Sequence, residues 1–498
     1  MSTTSAPFAR RRMASGPSTG ARYMAVSLSG ATYESSPGRI QKQCRDVSLF
    51  LFREAEYGKN CVWTVVFSAD RAELDARASA CAGGLGVVLP IGRASGRISV
   101  MTDPLASPPG RLLTLSVLML SALTIMANAT ISPSLPALTA HYADVPGIGT
   151  LAGLLLTLPS AAIVLSAGLM GWLADRIDRQ AMLLTVGGLY ALGGTSGLWV
   201  DGLGAMLAGR LVLGVGVAGT MILATTWAAD LWQGPARERY LGRQGAAISV
   251  GGIVVMLLGG LLASLHWRGA FATYLLVVPV TALALRTLAP HARARRDRPR
   301  AVGGTGAVVP WKVFAFVGPL SFLFMTVFYV MPTRLPFLLG ELGVRSPAAM
   351  GGIMAIMTVT SIPGALSYGR IRRHLGFMAI FALGWGVMAL GMGIVALAGN
   401  AWVAALGVAV MGAGMGPSMP NYTTYWMATV PPQLRGRASG MLTTAFFAGQ
   451  FASPLLTAPL VGPLGLQGTF AALAAAEAAL AAGLVVLAVR EARGAALA

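Results

Sequence analysis

The chain has 498 residues, of which 55% are hydrophobic and only 11% are charged. Soluble domains carry about 25% charged residues, so this composition excludes an ordinary soluble protein and indicates a membrane protein. The net charge of +19 suggests nucleic-acid binding as an alternative. The charge distribution excludes it, because the basic residues beyond residue 110, apart from Arg210, lie at the ends of long apolar runs or in the short segments between them.

The first 101 residues differ in composition from the rest of the chain. They hold 13 Lys/Arg and 7 Asp/Glu, and no apolar run in them is long enough to cross a bilayer. Two interpretations stay open. This segment is either a disordered or poorly structured cytoplasmic extension, or the natural chain begins at Met101 and the upstream part is an artefact of the assigned start.

All three cysteines, Cys44, Cys61 and Cys81, lie in this first segment. A disulfide framework or a thiolate metal site is therefore excluded from the apolar part of the chain. The sequence also has no phosphate loop, metal-ligand cluster or nucleophile constellation. We expect no metal, no cofactor and no enzyme activity.

Residues 102–498 contain twelve apolar runs separated by short polar segments. Each run is long enough to cross a bilayer as a helix, which takes about 20 residues, and the backbone of a span must satisfy its hydrogen bonds internally. The sequence therefore predicts an all-α membrane protein with twelve transmembrane helices. The predicted spans are 112–133, 148–170, 181–200, 203–226, 244–264, 270–288, 312–332, 347–368, 376–398, 401–428, 438–460 and 467–489.

The basic residues predict the orientation of these spans. They are concentrated in the terminal tails and in the even-numbered loops, whereas the odd-numbered loops hold only Arg268, Arg334 and Arg345. Because cytoplasmic loops carry the excess of Lys and Arg, both termini should be cytoplasmic, in a multi-pass protein of the cell membrane. A basic linker over 289–311 divides the apolar part into two six-span halves, 102–288 and 312–498.

The two halves repeat each other in sequence. Seven residues around span 4 recur 198 positions later without a gap, which indicates two pseudo-symmetric halves. The repeated residues are Gly214, Gly216, Thr225, Thr226, Arg237, Arg239 and Gly242.

The segment between spans 2 and 3 carries a recognisable motif. It reads Gly-Trp-Leu-Ala-Asp-Arg-Ile-Asp-Arg over 171–179, with Gly171, Leu173, Asp175, Arg176 and Arg179 at the motif positions. This pattern resembles the loop motif between helices 2 and 3 of the major facilitator superfamily of secondary transporters, with Asp178 in place of the usual second glycine. The resemblance implies two six-helix halves that bind substrate between them near the midplane and rock to give alternating access.

The same resemblance implies a latch on the cytoplasmic side. Asp175 would contact the N-terminal end of span 11 near Ser439 and Gly440, and Arg176 or Arg179 would pair with Asp230. A carboxylate is stabilised at the positive N-terminus of a helix, and this contact would form only when the cytoplasmic side is closed. The alternative is that the loop serves only topology, with the aspartate as a helix stop.

Two charged residues lie well inside predicted spans and are candidates for proton coupling. Arg210 lies in span 4, with Gly214 expected to leave room beside it, and Glu477 lies in span 12. Charges inside a membrane are costly and are by default functional candidates. The alternatives are that Arg210 reaches the outer interface and anchors the helix, and that Glu477 faces the lipid rim.

Polar and aromatic residues within the spans are candidates for lining a substrate cavity: Asn128, Tyr329, Asn421, Tyr425 and Gln450. They offer amides and aromatic rings without clustered charge, which suits a neutral or amphipathic organic molecule better than a phosphate or a dicarboxylate. Each could equally form a hydrogen bond that packs two helices.

The sequence therefore predicts a monomeric secondary transporter that exports a small organic compound, with protons as the coupling ion and the lipid bilayer as its surroundings. A metabolite or sugar uptake carrier stays open, because span 5 has Val255 and Met256 where efflux relatives carry Gly-Pro. A sensor or scaffold without transport activity is the alternative from another class.

Reporter fusions test the topology. Fusions at Ala143, Asp201 and Gly399 should report an external location, and fusions at Asp178, Gly234 and Arg296 a cytoplasmic one, because the basic loops stay inside. Reversal of three or more of these sites would overturn the twelve-span arrangement.

Overall fold

The computed structural model describes residues 24–28, 47–57, 60–68, 85–86, 110–174, 176–232, 234–292, 308–431 and 434–497. The chain divides into two compact units, Met1–Pro108 and Pro109–Ala498. The boundary lies seven residues beyond the one predicted from composition.

The first unit contains a four-stranded β-sheet, which the prediction of a poorly structured extension does not account for. The strands are β1 (Met24–Leu28), β2 (Val47–Tyr57), β3 (Asn60–Ser68) and β4 (Leu85–Gly86), paired in chain order. The first two pairings are antiparallel and the last is parallel. β2 and β3 are rich in the aromatic and β-branched residues that favour strands, a local signal that overall composition hides.

The second unit is helical throughout its described segments. Among the residues that the structure describes, eleven helices or runs of consecutive helices are long and apolar enough to cross a membrane. The helices are Arg111–Ala129, Leu135–His141, Ile148–Ala174, Arg179–Trp199, Leu203–Leu231, Gly234–Leu265, Gly269–Ala272, Val277–Ala292, Trp311–Phe328, Val330–Glu341, Pro347–His374, Phe377–Ala396, Ala401–Thr429 and Arg435–Leu497.

The predicted count of twelve spans depends on a break in the last helix, Arg435–Leu497. Its 63 residues would extend about 95 Å at 1.5 Å per residue, far more than a bilayer of about 30 Å. Gly465 interrupts the helix with a φ of 68° and a ψ of −176°, a conformation that glycine adopts without a steric penalty. We call the segments before and after Gly465 span 11 and span 12.

Contacts at the two ends of span 9 (Phe377–Ala396) show that span 12 crosses the unit fully. Gln467 donates to the carbonyl of Ala398 at one end (2.9 Å), and Glu491 accepts from the backbone N–H of Met378 at the other (3.2 Å). Span 12 therefore runs antiparallel to span 9 along its whole length.

The unit has a basic end and an opposite end, which differ in the loops that they carry. The basic end carries the loops or helix ends at Arg176, Arg237 and Arg372, and the opposite end carries those at Asp201 and Gly399.

Spans 1 and 7 are each broken towards the opposite end. Span 1 consists of Arg111–Ala129, a 3-10 turn and Leu135–His141, and span 7 consists of Trp311–Phe328 followed at Tyr329 by Val330–Glu341. The helix of span 7 thus continues beyond the predicted end at 332, because the segment after Pro332 is still largely apolar. Broken helices at equivalent places in both halves are typical of transporters built from repeats.

The sequence repeat corresponds to equivalent helix packing in the two halves. A Cβ added at Gly214 would lie 2.4 Å from the carbonyl oxygen of Pro159 in span 2, and one at Gly412 would lie 2.3 Å from that of Met357 in span 8. Span 4 therefore packs against span 2 as closely as span 10 packs against span 8. Small residues permit such contacts between membrane helices.

Substitutions at repeated glycines test this packing. Gly412→Ala should lower stability by about 1–3 kcal/mol, because the methyl group overpacks a backbone contact. Gly242→Ala is the matched control, since no heavy atom lies within 4 Å of its added Cβ and alanine favours the helix by about 1 kcal/mol. Thermal unfolding in detergent measures both. Equal melting temperatures for the two variants would contradict the close contact.

Candidate functional site

Spans 2 and 11 bring the two halves into close contact at the opposite end of the unit. A Cβ added at Gly153 would lie 2.6 Å from the Cβ of Pro454. Gly171 lies 18 residues later in span 2, which is about five helical turns and places it on the same face. A Cβ added there meets no heavy atom within 4 Å. The same face of span 2 is therefore packed at the opposite end and open at the basic end.

Spans 5 and 8 show the same divergence. A Cβ added at Gly260 or at Gly351 would lie 2.8 Å from a backbone carbonyl oxygen of the other helix. Gly242 and Gly369 lie 18 residues from these glycines towards the basic end, again on the same faces. An added Cβ at either meets nothing within 4 Å. Both pairs of helices between the halves therefore separate towards the basic end.

Gln450 joins the halves near the middle of this interface. Its Oε1 accepts a hydrogen bond from Ser160 Oγ of span 2 at 2.9 Å, and its Nε2 lies 3.6 Å from the Sδ of Met325 in span 7. Gln450 is buried. The predicted cavity residue thus lies between the halves, at the closed end of the opening between them.

Two other cavity candidates, Asn421 and Tyr329, lie within the second half. Asn421 is fully buried, where it accepts from Tyr368 Oη at 3.2 Å and donates to the carbonyl of Phe377 at 3.1 Å. Its amide therefore packs span 10 against spans 8 and 9. Tyr329 is buried at the break in span 7. Asn128 lies in the helix of span 1, and its side chain lies outside the described part of the chain.

Tyr425, a predicted cavity residue, belongs to an aromatic group whose other members the sequence did not indicate. Its ring centroid lies 5.2 Å from that of Phe377, 5.8 Å from Phe381 and 6.2 Å from Phe316. These rings come from spans 7, 9 and 10 near the basic end, and Tyr425 is only partly buried. The signal in the sequence was weak, because the phenylalanines look like ordinary apolar residues of three separate spans.

The motif loop forms a salt bridge within the first half. Nη1 of Arg179 lies 2.7 Å from Oδ2 of Asp230 at the end of span 4. Asp178 caps span 3, because its Oδ2 accepts from the backbone N–H groups of Gln180 and Ala181 at 3.0 and 3.2 Å. An N-cap aspartate explains the departure from glycine at this position.

The rest of the motif is only partly described. Asp175 lies outside the described residues, so its contact with span 11 stays a prediction. Arg176 packs its guanidinium 3.9 Å above the ring of Trp172, and the carbonyl of Leu173 accepts from two backbone N–H groups of the loop at 2.9 Å. The expected partner region is open, since Ser439 and Gly440 are exposed.

Arg210 is fully buried within the first half and does not reach the outer surface. Its guanidinium carbon lies 4.5 Å from the ring centroid of Phe271 and 4.9 Å from that of Tyr274, and Nη2 donates to the carbonyl of Gly194 at 3.4 Å. Nε and Nη1 have no hydrogen-bond partner among the described residues. The charge therefore depends on aromatic faces of span 6 and one carbonyl of span 3.

Gly214 does not leave room beside Arg210. The expected space is filled by span 2, since an added Cβ would lie 2.5 Å from the Cβ of Ala162 and 2.4 Å from the carbonyl oxygen of Pro159. The physical reason is that glycine in a membrane helix brings a neighbouring backbone closer rather than leaving a void.

Glu477 is buried in the second half, away from the surface of the unit. It is 1% exposed, and neither carboxyl oxygen has a hydrogen-bond partner among the described residues. A Cβ added at Gly393 or Gly386 of span 9 would lie 3.9 Å from the Cβ of Ala474 or Ala481, which are about one turn on either side of Glu477. Glu477 therefore lies between spans 9 and 12.

Within the described residues, no group of three or more His, Cys, Asp or Glu side chains could hold a metal ion. The polar groups of the interface are amides, hydroxyls and buried cations. These groups can form hydrogen bonds.

A family model described as "Major Facilitator Superfamily" matches residues 117–454, which is more than half of the chain. This chain belongs to the major facilitator superfamily. The match covers the motif loop, the repeated span 4 region and most of both halves.

Relatives within this superfamily include efflux proteins. The class E tetracycline resistance protein of Escherichia coli is 26% identical over 349 residues, covering 67% of this chain and 84% of that protein. The multidrug efflux pump Tap of Mycolicibacterium fortuitum is 24% identical over 230 residues, covering 45% of this chain and 55% of that protein.

A solved structure agrees with the fold. A mutant of the nucleoside transporter NupG matches with a TM-score of 0.62 at 15% identity, covering 75% of this chain and 99% of that one. At this identity the likeness shows the superfamily fold and carries no information on the substrate.

The motif acid can be tested against a matched neighbour. Asp175→Asn should reduce transport sharply at normal membrane insertion, because it removes the charge of the proposed latch. Asp178→Asn should transport normally, since asparagine caps a helix as well as aspartate does. Transport rates at matched expression measure both. Equal rates for the two variants would reject the latch.

Proposed function

We propose that this transporter exports a small neutral or amphipathic organic compound by alternating access, in exchange for protons. The observation that carries the proposal is the divergence of the halves. The faces that pack at Gly153 and Gly260 separate at Gly171 and Gly242. An interface closed at one end and open at the other is one of the two states that alternating access requires.

The charge distribution supports the direction of the opening. The basic end carries most of the loop arginines, so it should face the cytoplasm with both termini. An opening on that side is where an exporter loads its substrate. The names of the relatives, a tetracycline resistance protein and a multidrug efflux pump, favour export as well.

The groups near the interface support the substrate class. Gln450 offers an amide between the halves, and Tyr425 is a partly buried member of an aromatic group of the second half near the basic end. Aromatic faces and single amides suit flat or amphipathic molecules. A phosphate or a dicarboxylate would call for clustered cations, and the buried arginines Arg210 and Arg334 lie on different spans.

Two buried groups support proton coupling. The carboxyl oxygens of Glu477 have no hydrogen-bond partner among the described residues. Two nitrogens of the Arg210 guanidinium, Nε and Nη1, also have none among these residues. Such groups are costly inside a membrane and mark proton or ion pathways. Both groups lie inside one half rather than between the halves. A change in protonation at either group would therefore affect transport through the packing of the helices in that half.

A metabolite or sugar uptake carrier is the second candidate. The observation that favours it is Val255 and Met256 in span 5 in place of the Gly-Pro of efflux relatives. An uptake carrier would take substrate into right-side-out vesicles, and an exporter would accumulate it in inverted vesicles. A sensor without transport would do neither.

Inverted vesicles from cells that express the chain test the proposal. Tetracycline and a panel of amphipathic dyes serve as probes, chosen by a susceptibility screen with and without the protein. We expect accumulation that collapses when a protonophore removes the gradient. Accumulation only in right-side-out vesicles would replace export by uptake, and substrate movement that ignores the gradient would reject proton coupling.

Arg210 variants separate coupling from anchoring. Arg210→Ala should lose proton-driven accumulation and keep substrate binding, whereas Arg210→Lys should keep part of the accumulation because it keeps the charge and loses the planar donor fork. A purely structural role predicts less folded protein with normal activity per molecule. Reconstituted protein, assayed for accumulation and binding on the same sample, measures both quantities. Full accumulation by Arg210→Ala would end the coupling role.

A further inference from the structure

Arg334 lies inside the membrane unit, at the closed end of the interface. The sequence placed it in a loop beyond span 7, but the helix Val330–Glu341 includes it, and it is 5% exposed. It is one of two arginines buried in the described part of the unit, the other being Arg210.

The guanidinium of Arg334 bridges the two halves. Nη1 donates to the carbonyl of Gly149 at the start of span 2, in the first half, at 3.4 Å. Nη2 donates to the carbonyl of Pro454 at 3.3 Å, and Nε donates to the Oγ1 of Thr457 at 3.4 Å, both in span 11. One side chain of span 7 thus links span 2 to span 11 in the layer that also holds the contact between Gly153 and Pro454.

Backbone contacts around Arg334 continue this layer. Ser132 of span 1 donates to the carbonyl of Pro332, where the broken ends of spans 1 and 7 meet. The backbone N–H of Ala348 in span 8 donates to Ser264 Oγ of span 5 at 3.2 Å. The hydrogen bonds that cross between the halves among the described residues therefore lie at the opposite end or, for Ser160 and Gln450, near the middle of the interface.

The cation has no salt-bridge partner among the described residues. Its acceptors are two carbonyls and a hydroxyl, at distances of 3.3–3.5 Å. A buried ion pair would hold this end closed strongly, because separating the partners leaves an uncompensated charge. Long bonds to neutral acceptors are weaker, and water can replace each of them when the end opens. This chemistry suits a contact that must break in every cycle.

We propose that Arg334 is the gating residue that closes the opposite end of the transporter while the basic end is open. The proposal rests on the alternating access proposed above and names the side chain that holds one of its two states. When the opposite end opens, the guanidinium leaves Gly149 and Thr457 and becomes hydrated. Arg334 is a positioning residue and needs no contact with the substrate.

Spin-label distances in the full chain test the gate. Cys44, Cys61 and Cys81 are replaced by serine, which leaves a cysteine-free background because residues 82–498 contain none.

One cysteine pair, Gly204→Cys with Gly399→Cys, reports on the opposite end, and a second pair, Gly242→Cys with Gly440→Cys, on the basic end. All four glycines have no heavy atom within 4 Å of an added Cβ and are exposed, so labels should not disturb the packing.

Removing the side chain should shift the two-state equilibrium. In Arg334→Ala, we expect the ratio of open to closed opposite ends to rise about tenfold, which corresponds to about 1.4 kcal/mol. Distances at the basic end should shorten in the same molecules. Arg334→Lys should give a smaller shift, because an ammonium group reaches fewer of the acceptors than the fork does.

Two further variants keep the test decisive. Thr457→Val removes the hydroxyl that accepts from two guanidinium nitrogens at nearly constant side-chain volume. It should also raise the ratio of open to closed opposite ends. If Arg334→Ala does not fold, the result for Thr457→Val decides whether the gate exists. Arg345→Ala, an exposed cation at the same end, should leave both distributions unchanged.

Unchanged distances in both Arg334→Ala and Thr457→Val would overturn the gate, as would an equal shift in Arg345→Ala. The measurement needs neither substrate nor proton gradient. Failure of the gate is therefore distinguishable from failure of the proposed transport, which the vesicle assays measure.

Discussion

Close packing between the halves at the opposite end is the constraint on which the rest of the membrane unit depends. The contact of Gly153 with Pro454 allows no side chain between spans 2 and 11, so these helices cross at that point and diverge beyond it. Spans 5 and 8 cross in the same way at Gly260 and Gly351. Because helices are stiff, two crossings at one end open the interface at the other. Gly171, near the basic end, then has no heavy atom within 4 Å of an added Cβ.

Buried cations occupy different positions relative to this interface and have different physical consequences. Arg210 lies inside the first half, where the faces of Phe271 and Tyr274 offset part of the cost of burial. Arg334 lies between the halves and reaches only neutral acceptors. The first charge lies within one half, and the second belongs to a contact between the halves that the proposed transport cycle would break. Glu477 resembles Arg210 in this respect, since it lies between spans 9 and 12 of one half.

Much of the membrane unit was predictable, because hydrophobic length and charge are local properties of the sequence. The helical class, the two halves and the motif loop followed from apolar runs, the 198-residue repeat and the 171–179 pattern, and the family match confirms the superfamily. Span ends were less predictable. The helix of span 7 continues past Pro332, because proline is tolerated in a membrane helix when neighbouring groups satisfy the backbone. For the same reason the loop assignment of Arg334 was wrong. The β-sheet of the first unit was also missed, because its strand residues are averaged out in a composition count.

The sequence by itself determined the environment of each helix, since burial in lipid requires apolar residues over a fixed length and leaves the charges at the ends. It also determined which residues are unusual within a span. The tertiary structure alone decided what those residues touch. The sequence does not distinguish a glycine that faces an opening, such as Gly171, from one that packs against a backbone carbonyl, such as Gly214. An arginine near a span end reads the same whether it is hydrated or, like Arg334, buried between two halves. The reason is that these environments are made by residues of other spans, which are distant in the sequence and which only the folded chain brings together.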